Sequence, residues 1–197
     1  MFTELRTALR PALVLLVLLT AVTGLAYPAL VTGVAQVAMP AQANGSLVRD
    51  GDGVVGSELI AQGFAGPGYF HPRASAAGKG YDASASAGTN LAPGSKDLRD
   101  AIATRVADAR ADGMTGGSVP ADLVTTSASG LDPDLSPEAA FSQISRVARA
   151  RGLAEAPVRA LVDRSVAHPI LGLIGEPRVN VLLLNRQLDR IAPKTAR

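Results

Sequence analysis

The sequence predicts an α+β fold: one N-terminal transmembrane helix followed by a small extracytoplasmic α+β domain. Three observations predict it. An apolar run near the N-terminus is long enough to cross a bilayer. Farther on, helix caps precede apolar residues at helical spacing. Short aliphatic runs beside Gly-rich turns supply a few strands. With 197 residues, the chain leaves roughly 150 for the soluble part, an ordinary domain size.

The apolar run comes first. Only Glu4, Arg6 and Arg10 carry charge before Arg49, and between them lies "PALVLLVLLTAVTGLAYPALV". Ala12–Val31 is 20 residues, which at helical rise spans roughly 30 Å, the thickness of a bilayer core. Pro11 suits a first helical turn, and Tyr27 suits the far interface. The small-residue triplets before Tyr27 and Asn44 resemble signal-cleavage sites, but the second lies far beyond the apolar run and apolar residues continue past the first. An uncleaved anchor is therefore expected. Arg6 and Arg10 precede the run and an uncharged flank follows it, which places the N-terminus in the cytoplasm and residues after about Val31 outside. The expected layout is 1–11 cytoplasmic, 12–31 transmembrane, 32–45 linker and 46–197 extracytoplasmic domain.

Within the soluble part, Leu47–Val48 and Val54–Val55 flank the turn "DGDG" and predict a β-hairpin. "GKGYDASASAGTNLAPGSK" has few large apolar residues and predicts a long surface loop. Ser95 caps a helix through Ala109, with Leu98, Ala101, Ile102, Val106 and Ala109 on one face. Ser136, Pro137 and Glu138 open a second helix that Gly152 closes, with Ala140, Ile144, Val147 and Ala148 as its buried stripe. Pro157 opens a third, buried through Val158, Leu161, Val162 and Val166, which stops before His168–Pro169. "RVNVLLLN" predicts a buried strand.

Composition narrows the chemistry. The net charge of +2 is mixed along the chain, with no basic stripe interleaved with aromatics, so no nucleic-acid partner is expected. The absence of cysteine excludes disulfides, zinc–cysteine sites and thiol catalysis. Asp50 and Asp52 are calcium ligands by type, yet no further oxygen ligands follow at loop spacing, so no metal site is expected. Nucleophile-elbow, phosphate-loop and zinc-protease motifs are all missing. A competing class is a signal-anchored extracytoplasmic hydrolase using Ser127 or Ser129 with His71 or His168, since a triad need not be close in sequence. The hydroxyls of "TTSASG" equally serve turns that set up the next helix. The densest unexplained stretch is "GFAGPGYFHPRASA". In a chain with 4% aromatics it gathers Phe64, Tyr69, Phe70 and His71 within eight positions, followed by Arg73. Aromatic and arginine side chains among glycines and prolines suggest a partner-docking surface formed by these five residues.

Together these segments resemble KdpC, the C chain of the bacterial high-affinity potassium-transporting P-type ATPase. The resemblance runs along nearly the whole chain. It rests on the order and spacing of "RPALVLL", "GLAYPALVTGVAQ", "GSLV", "VVGSELIAQGF", "YFHPRASAA", "GTNLAP", "VPADLVTTSASGLDPDLSPEAA" and "GEPRVNVLLLN". It implies a non-catalytic, single-pass subunit of the bacterial inner membrane. Its implied partners are a channel-like potassium-translocating subunit, an ATP-hydrolysing P-type subunit and a small single-helix subunit. It also implies stabilisation or assembly of that complex, with the domain over the outer entrance of the channel-like subunit. A further implied role is that of a catalytic chaperone that raises the pump subunit's affinity for ATP in a ternary complex. The chain departs from the family pattern in three places. Pro157 stands where many relatives carry a glutamine proposed as a nucleotide signature, so no nucleotide-binding residue is assigned. Asp134 stands where relatives often have His, and Ala74 where a proline is frequent.

Overall fold

The computed structural model describes residues 2–114, 117–169 and 171–192. The chain divides into two compact units, Met1–Leu47 and Val48–Arg197.

The first unit is a long helix. α1 (Phe2–Ala21) passes through one π-helical turn (Val22–Ala26) into α2 (Tyr27–Ala38), and a short α3 (Pro40–Ala43) follows. The stretch Arg6–Ala38 is apolar and long enough to cross a membrane, and none of it is buried within the protein. Its 33 residues extend about 50 Å at helical rise, well beyond a hydrocarbon core. The helix starts earlier than expected, so that Pro11 lies inside it, and it continues through the first half of the expected linker. The Pro11 ring removes one donor from the ladder, which the surrounding apolar residues tolerate as membrane helices commonly do.

In the second unit, β1 (Leu47–Asp50) and β2 (Gly53–Ser57) form the expected hairpin. No helix or strand element follows until α4 (Lys96–Ala111), whose Ser95 cap accepts from the Leu98 amide as predicted. α4 carries no fully buried residue, because its apolar face is built from small and half-exposed side chains. After α5 (Ala121–Val124) come β3 (Asp134–Leu135), α6 (Pro137–Ser142), α7 (Ile144–Arg151), α8 (Glu155–Ser165), β4 (Val166–Ala167), β5 (Arg178–Asn180) and α9 (Val181–Ile191). The three short strands form an antiparallel sheet in the order β3–β5–β4, with Leu135 and Val166 each opposite Val179.

Three expectations change here. The Ser136–Gly152 helix is two helices, α6 and α7, meeting at Gln143, whose side chain is committed elsewhere. Its caps hold: Ser136 Oγ accepts from the Ala139 amide, and Gly152 takes the left-handed terminal conformation. α8 begins at Glu155, two residues before Pro157, and Val166 leaves it to start β4. "RVNVLLLN" is strand only through Asn180, whose side chain then caps a helix by accepting from the Leu183 amide at 3.1 Å. Val181, Leu184 and Leu188 recur at helical spacing and are buried, so one face of α9 satisfies the helix period better than the strand period.

The core gathers Phe70 and Leu135 with the inner faces of α6, α7, α8, β5 and α9. Helices α6, α8 and α9 pack against the small antiparallel sheet, an α+β arrangement.

Candidate docking surface

The strip from Gly63 to Ala76 contains no regular element beyond one bridge residue, so its backbone donors and acceptors need partners from elsewhere. Two buried carboxamides supply them. Asn185 on α9 accepts from the Phe70 amide at 2.8 Å and donates to the Phe70 carbonyl at 2.9 Å. Gln143, between α6 and α7, accepts from the His71 amide at 2.8 Å and donates to the His71 carbonyl at 3.0 Å. Each side chain thus imitates a neighbouring strand. Asn185 and Gln143 are only 1% and 0% exposed.

Two arginines complete the hold. Arg146 on α7 donates to the Pro67 and Tyr69 carbonyls at 2.7 and 2.9 Å and to Gln143 Oε1 at 2.6 Å. Arg151 donates to the Gly68 and Ala192 carbonyls, each at 2.7 Å, pairs with Asp189 at 2.7 Å and lies 4.7 Å from the Tyr69 ring centre. Burial lowers the Arg146 pKa, a pull that nearby Asp112 opposes.

The five residues expected to dock divide accordingly. Phe70 is fully buried in the core, which corrects the expectation of a surface anchor there: its ring packs inward because Asn185 fixes its backbone against α9. A Phe70 variant therefore reports on folding. Phe64 and Tyr69 are half-buried, with ring centres 5.4 Å apart, and the Tyr69 hydroxyl donates to Asp189 at 3.2 Å. The His71 ring Nε2–H donates to the Gly66 carbonyl at 3.0 Å. Arg73 pairs with Asp132 at 3.2 Å and donates to the Thr126 carbonyl. Phe64, Tyr69, His71 and Arg73 thus remain at the rim of an ordered strip.

The hydroxyl-rich loop packs against the same strip. Ala74 pairs with Thr126 in a parallel bridge, and Ser75 Oγ donates to the Gly130 carbonyl at 2.6 Å. Gly130 has φ of +66°, and a Cβ there would lie 2.6 Å from the Ala87 carbonyl and 2.7 Å from the Ala77 amide, so only glycine fits. Ser127 and Ser129 lie with their hydroxyls 3.5 Å apart, and the recorded hydrogen bonds of the two hydroxyls involve neither histidine. His71 is committed to Gly66, and His168 is exposed past β4. The geometry does not favour the hydrolase class. Among the described residues no group of three or more acidic or histidine side chains is placed to hold a metal.

A cleft of about 190 Å³ lies under the strip, lined by His71, Arg105, Asp108, Asp112, Gln143 and Arg146 with apolar neighbours. Burial lowers the His71 pKa and the Arg146 charge lowers it further, against the Gly66 hydrogen bond and Asp112, which raise it. Asp134, on β3, has its carboxyl pushed up by burial and partly restored by Arg178, 3.1 Å away.

The structure thus joins a helix long and apolar enough to cross a membrane to an α+β unit in which buried amides and arginines fix one irregular strip. The family model described as the K+-transporting ATPase c chain, KdpC, matches residues 9–190. The potassium-transporting ATPase KdpC subunit of Caulobacter vibrioides is 59% identical over 189 residues, 95% of each chain. That of Myxococcus xanthus is 56% identical over 96% of this chain and 89% of its own. That of Rhodospirillum rubrum is 54% identical over 96% and 98%. The chain belongs to the KdpC family.

Two predictions follow from the strip. Asn185→Leu keeps the branched side-chain skeleton but removes its donor and acceptor, leaving both Phe70 backbone groups bare in the core, at roughly 1–3 kcal/mol each. Chemical denaturation of the full-length chain in detergent should show a loss of about 2–4 kcal/mol; a loss below about 0.5 kcal/mol would mean those groups find other partners. The second concerns pH. A base whose folded pKa is depressed below 6.5 binds its proton more readily when unfolded. Its stabilising contribution is complete above the unfolded value and is lost as pH falls through that value toward the folded one. The melting temperature should therefore drop from about pH 7.5 to about pH 5.5, and His71→Gln should flatten that drop. Asp134 works in the opposite sense, so the comparison with His71→Gln isolates the imidazole. An unchanged pH profile in the variant would refute the assignment.

Proposed function

We propose that this chain is a non-catalytic subunit that stabilises and assembles the channel-like and ATP-hydrolysing subunits of a potassium-transporting ATPase, together with a small single-helix subunit. The observation that supports this reading most is the ordered strip. Gln143, Asn185, Arg146 and Arg151 fix its backbone, so the rim side chains of Phe64, Tyr69, His71 and Arg73 meet a partner with little ordering left to do. Arginine and aromatic residues are the common anchors of such contacts. Membership of the KdpC family supports the choice of partners.

The proposed effect on ATP affinity passes through the assembly and not through a nucleotide site on this chain. The cleft beneath the strip is about 190 Å³, smaller than the roughly 300–1,000 Å³ of sites for drug-sized ligands. Its aspartates, Asp108 and Asp112, offset its arginines, Arg105 and Arg146, so it offers phosphates no net positive charge. The proposed orientation keeps the N-terminus in the cytoplasm and the domain outside, supported by Arg6 and Arg10 ahead of the apolar run.

Tyr69→Ala combined with Arg73→Ala should reduce co-purification of the partner subunits or potassium-dependent ATPase activity more than tenfold. The melting temperature of the isolated full-length chain should fall by only a few degrees, since both side chains sit at the rim. A fully assembled, fully active complex would reject the docking role. Because the chain lacks cysteine, orientation is read with Lys79→Cys and a membrane-impermeant maleimide on intact cells with a permeabilised outer membrane. Labelling is expected without lysis; labelling only after lysis would invert the topology.

A further inference from the structure

The loop joining β4 to β5, residues 168–177, reads "HPILGLIGEP". Its described tip exposes large aliphatic side chains: Leu171 is 88% exposed, Leu173 86% and Ile174 66%. Leu171 holds φ of +54° and Gly172 +70°, and the Gly172 amide donates to the Pro169 carbonyl at 3.1 Å, so the tip is a defined turn. Left-handed backbone is unusual for a branched side chain. Nothing in the soluble unit's core uses these three residues. Soluble surfaces seldom spend three adjacent large aliphatics this way without a partner.

We propose that this tip inserts into the outer interface of the lipid bilayer as a second membrane contact of the domain. The choice of lipid rests on two observations. First, the sequence from Pro169 to Gly175 has no charge, aromatic ring or hydrogen-bonding side chain. A protein partner is usually gripped by aromatic or arginine anchors and a polar rim, whereas hydrocarbon asks only for apolar area. Second, the same polypeptide carries a membrane-crossing helix ending at Ala38. Residues 39–47, even fully extended, reach only about 30 Å, so the domain stays tethered within tens of ångströms of the bilayer. The tether gives the tip a high effective concentration near lipid. Insertion of three aliphatics is weak alone, and the anchor makes it effective by removing the cost of bringing the partners together. This proposal stands apart from the docking strip and survives its failure.

The chain has no tryptophan, so one introduced indole reports its own surroundings. Full-length protein carrying Leu173→Trp is placed in phosphatidylcholine vesicles with and without brominated acyl chains, beside Ala103→Trp on the exposed side of α4. The Leu173→Trp indole should emit at shorter wavelength, be quenched severalfold more by brominated lipid and be shielded from acrylamide, while the Ala103→Trp indole behaves as in water. Equal quenching of both, or none of the first, overturns the proposal. The same comparison in the assembled complex, by difference from the unsubstituted complex, separates the alternative occupant. Shielding from acrylamide without brominated-lipid quenching there would mean that a protein subunit covers the tip, and lipid insertion would be wrong.

Discussion

The soluble unit depends on two buried carboxamides doing the work of a missing strand. Phe70 and His71 lie in a stretch too rich in glycine and proline to join a ladder, yet Phe70 is fully buried. An unpaired peptide group in the core costs several kcal/mol, so four such groups in a row would exclude this arrangement. Asn185 and Gln143 present one donor and one acceptor each, at the spacing of a peptide group, and satisfy all four. The same bonds satisfy the carboxamides, which would otherwise be costly to bury. Neither side can be replaced alone. α9 and the α6–α7 junction are thereby tied to one short segment, and the core closes around the Phe70 ring between them.

Arg146 extends this dependence. Its guanidinium is 9% exposed as a residue and bonds two carbonyls and Gln143, with Asp112 the nearest acidic influence on its charge. Guanidinium tolerates such burial because its planar fork matches several carbonyls at once and its hydration is weak. After burial, this positive charge is the second cause that lowers the His71 pKa. An imidazolium beside Arg146 would be doubly penalised, by burial and by repulsion. The polar chemistry that looked available for catalysis is therefore consumed by structure.

How far the sequence reaches is seen in particular residues. The apolar anchor, the hairpin, the Ser95 and Ser136 caps and the Gly152 terminus were all readable, because each is a local rule with a local cause. The final helix was not. "RVNVLLLN" satisfies β-propensity, and the decision for helix is made by Asn180 as a cap and by Leu184 and Leu188 meeting α8 and the Phe70 ring, a tertiary effect. Gln143 and Asn185 were overlooked although a signal existed. Each interrupts an apolar helical stripe, Ala139–Ala140–Ile144–Val147 in one case and Val181–Leu184–Leu188 in the other. A polar amide on a buried face calls for a backbone partner, but sequence alone does not say which segment supplies it. The same gap misplaced Phe70: aromatic residues among glycines look exposed until their backbone partners are known.

The division of labour along the strip follows from this. The order of the strip is supplied by residues facing inward. Arg151 illustrates it. Its side chain is 4% exposed, bonds the Gly68 carbonyl, pairs with Asp189 and underlies the Tyr69 ring. Tyr69 is thus fixed from below and from its hydroxyl, with its remaining surface outward. The glycines and prolines that make the strip look disordered in sequence are what allow inward-facing arginines and amides to reach its carbonyls. An irregular segment is in this way converted into a rigid surface.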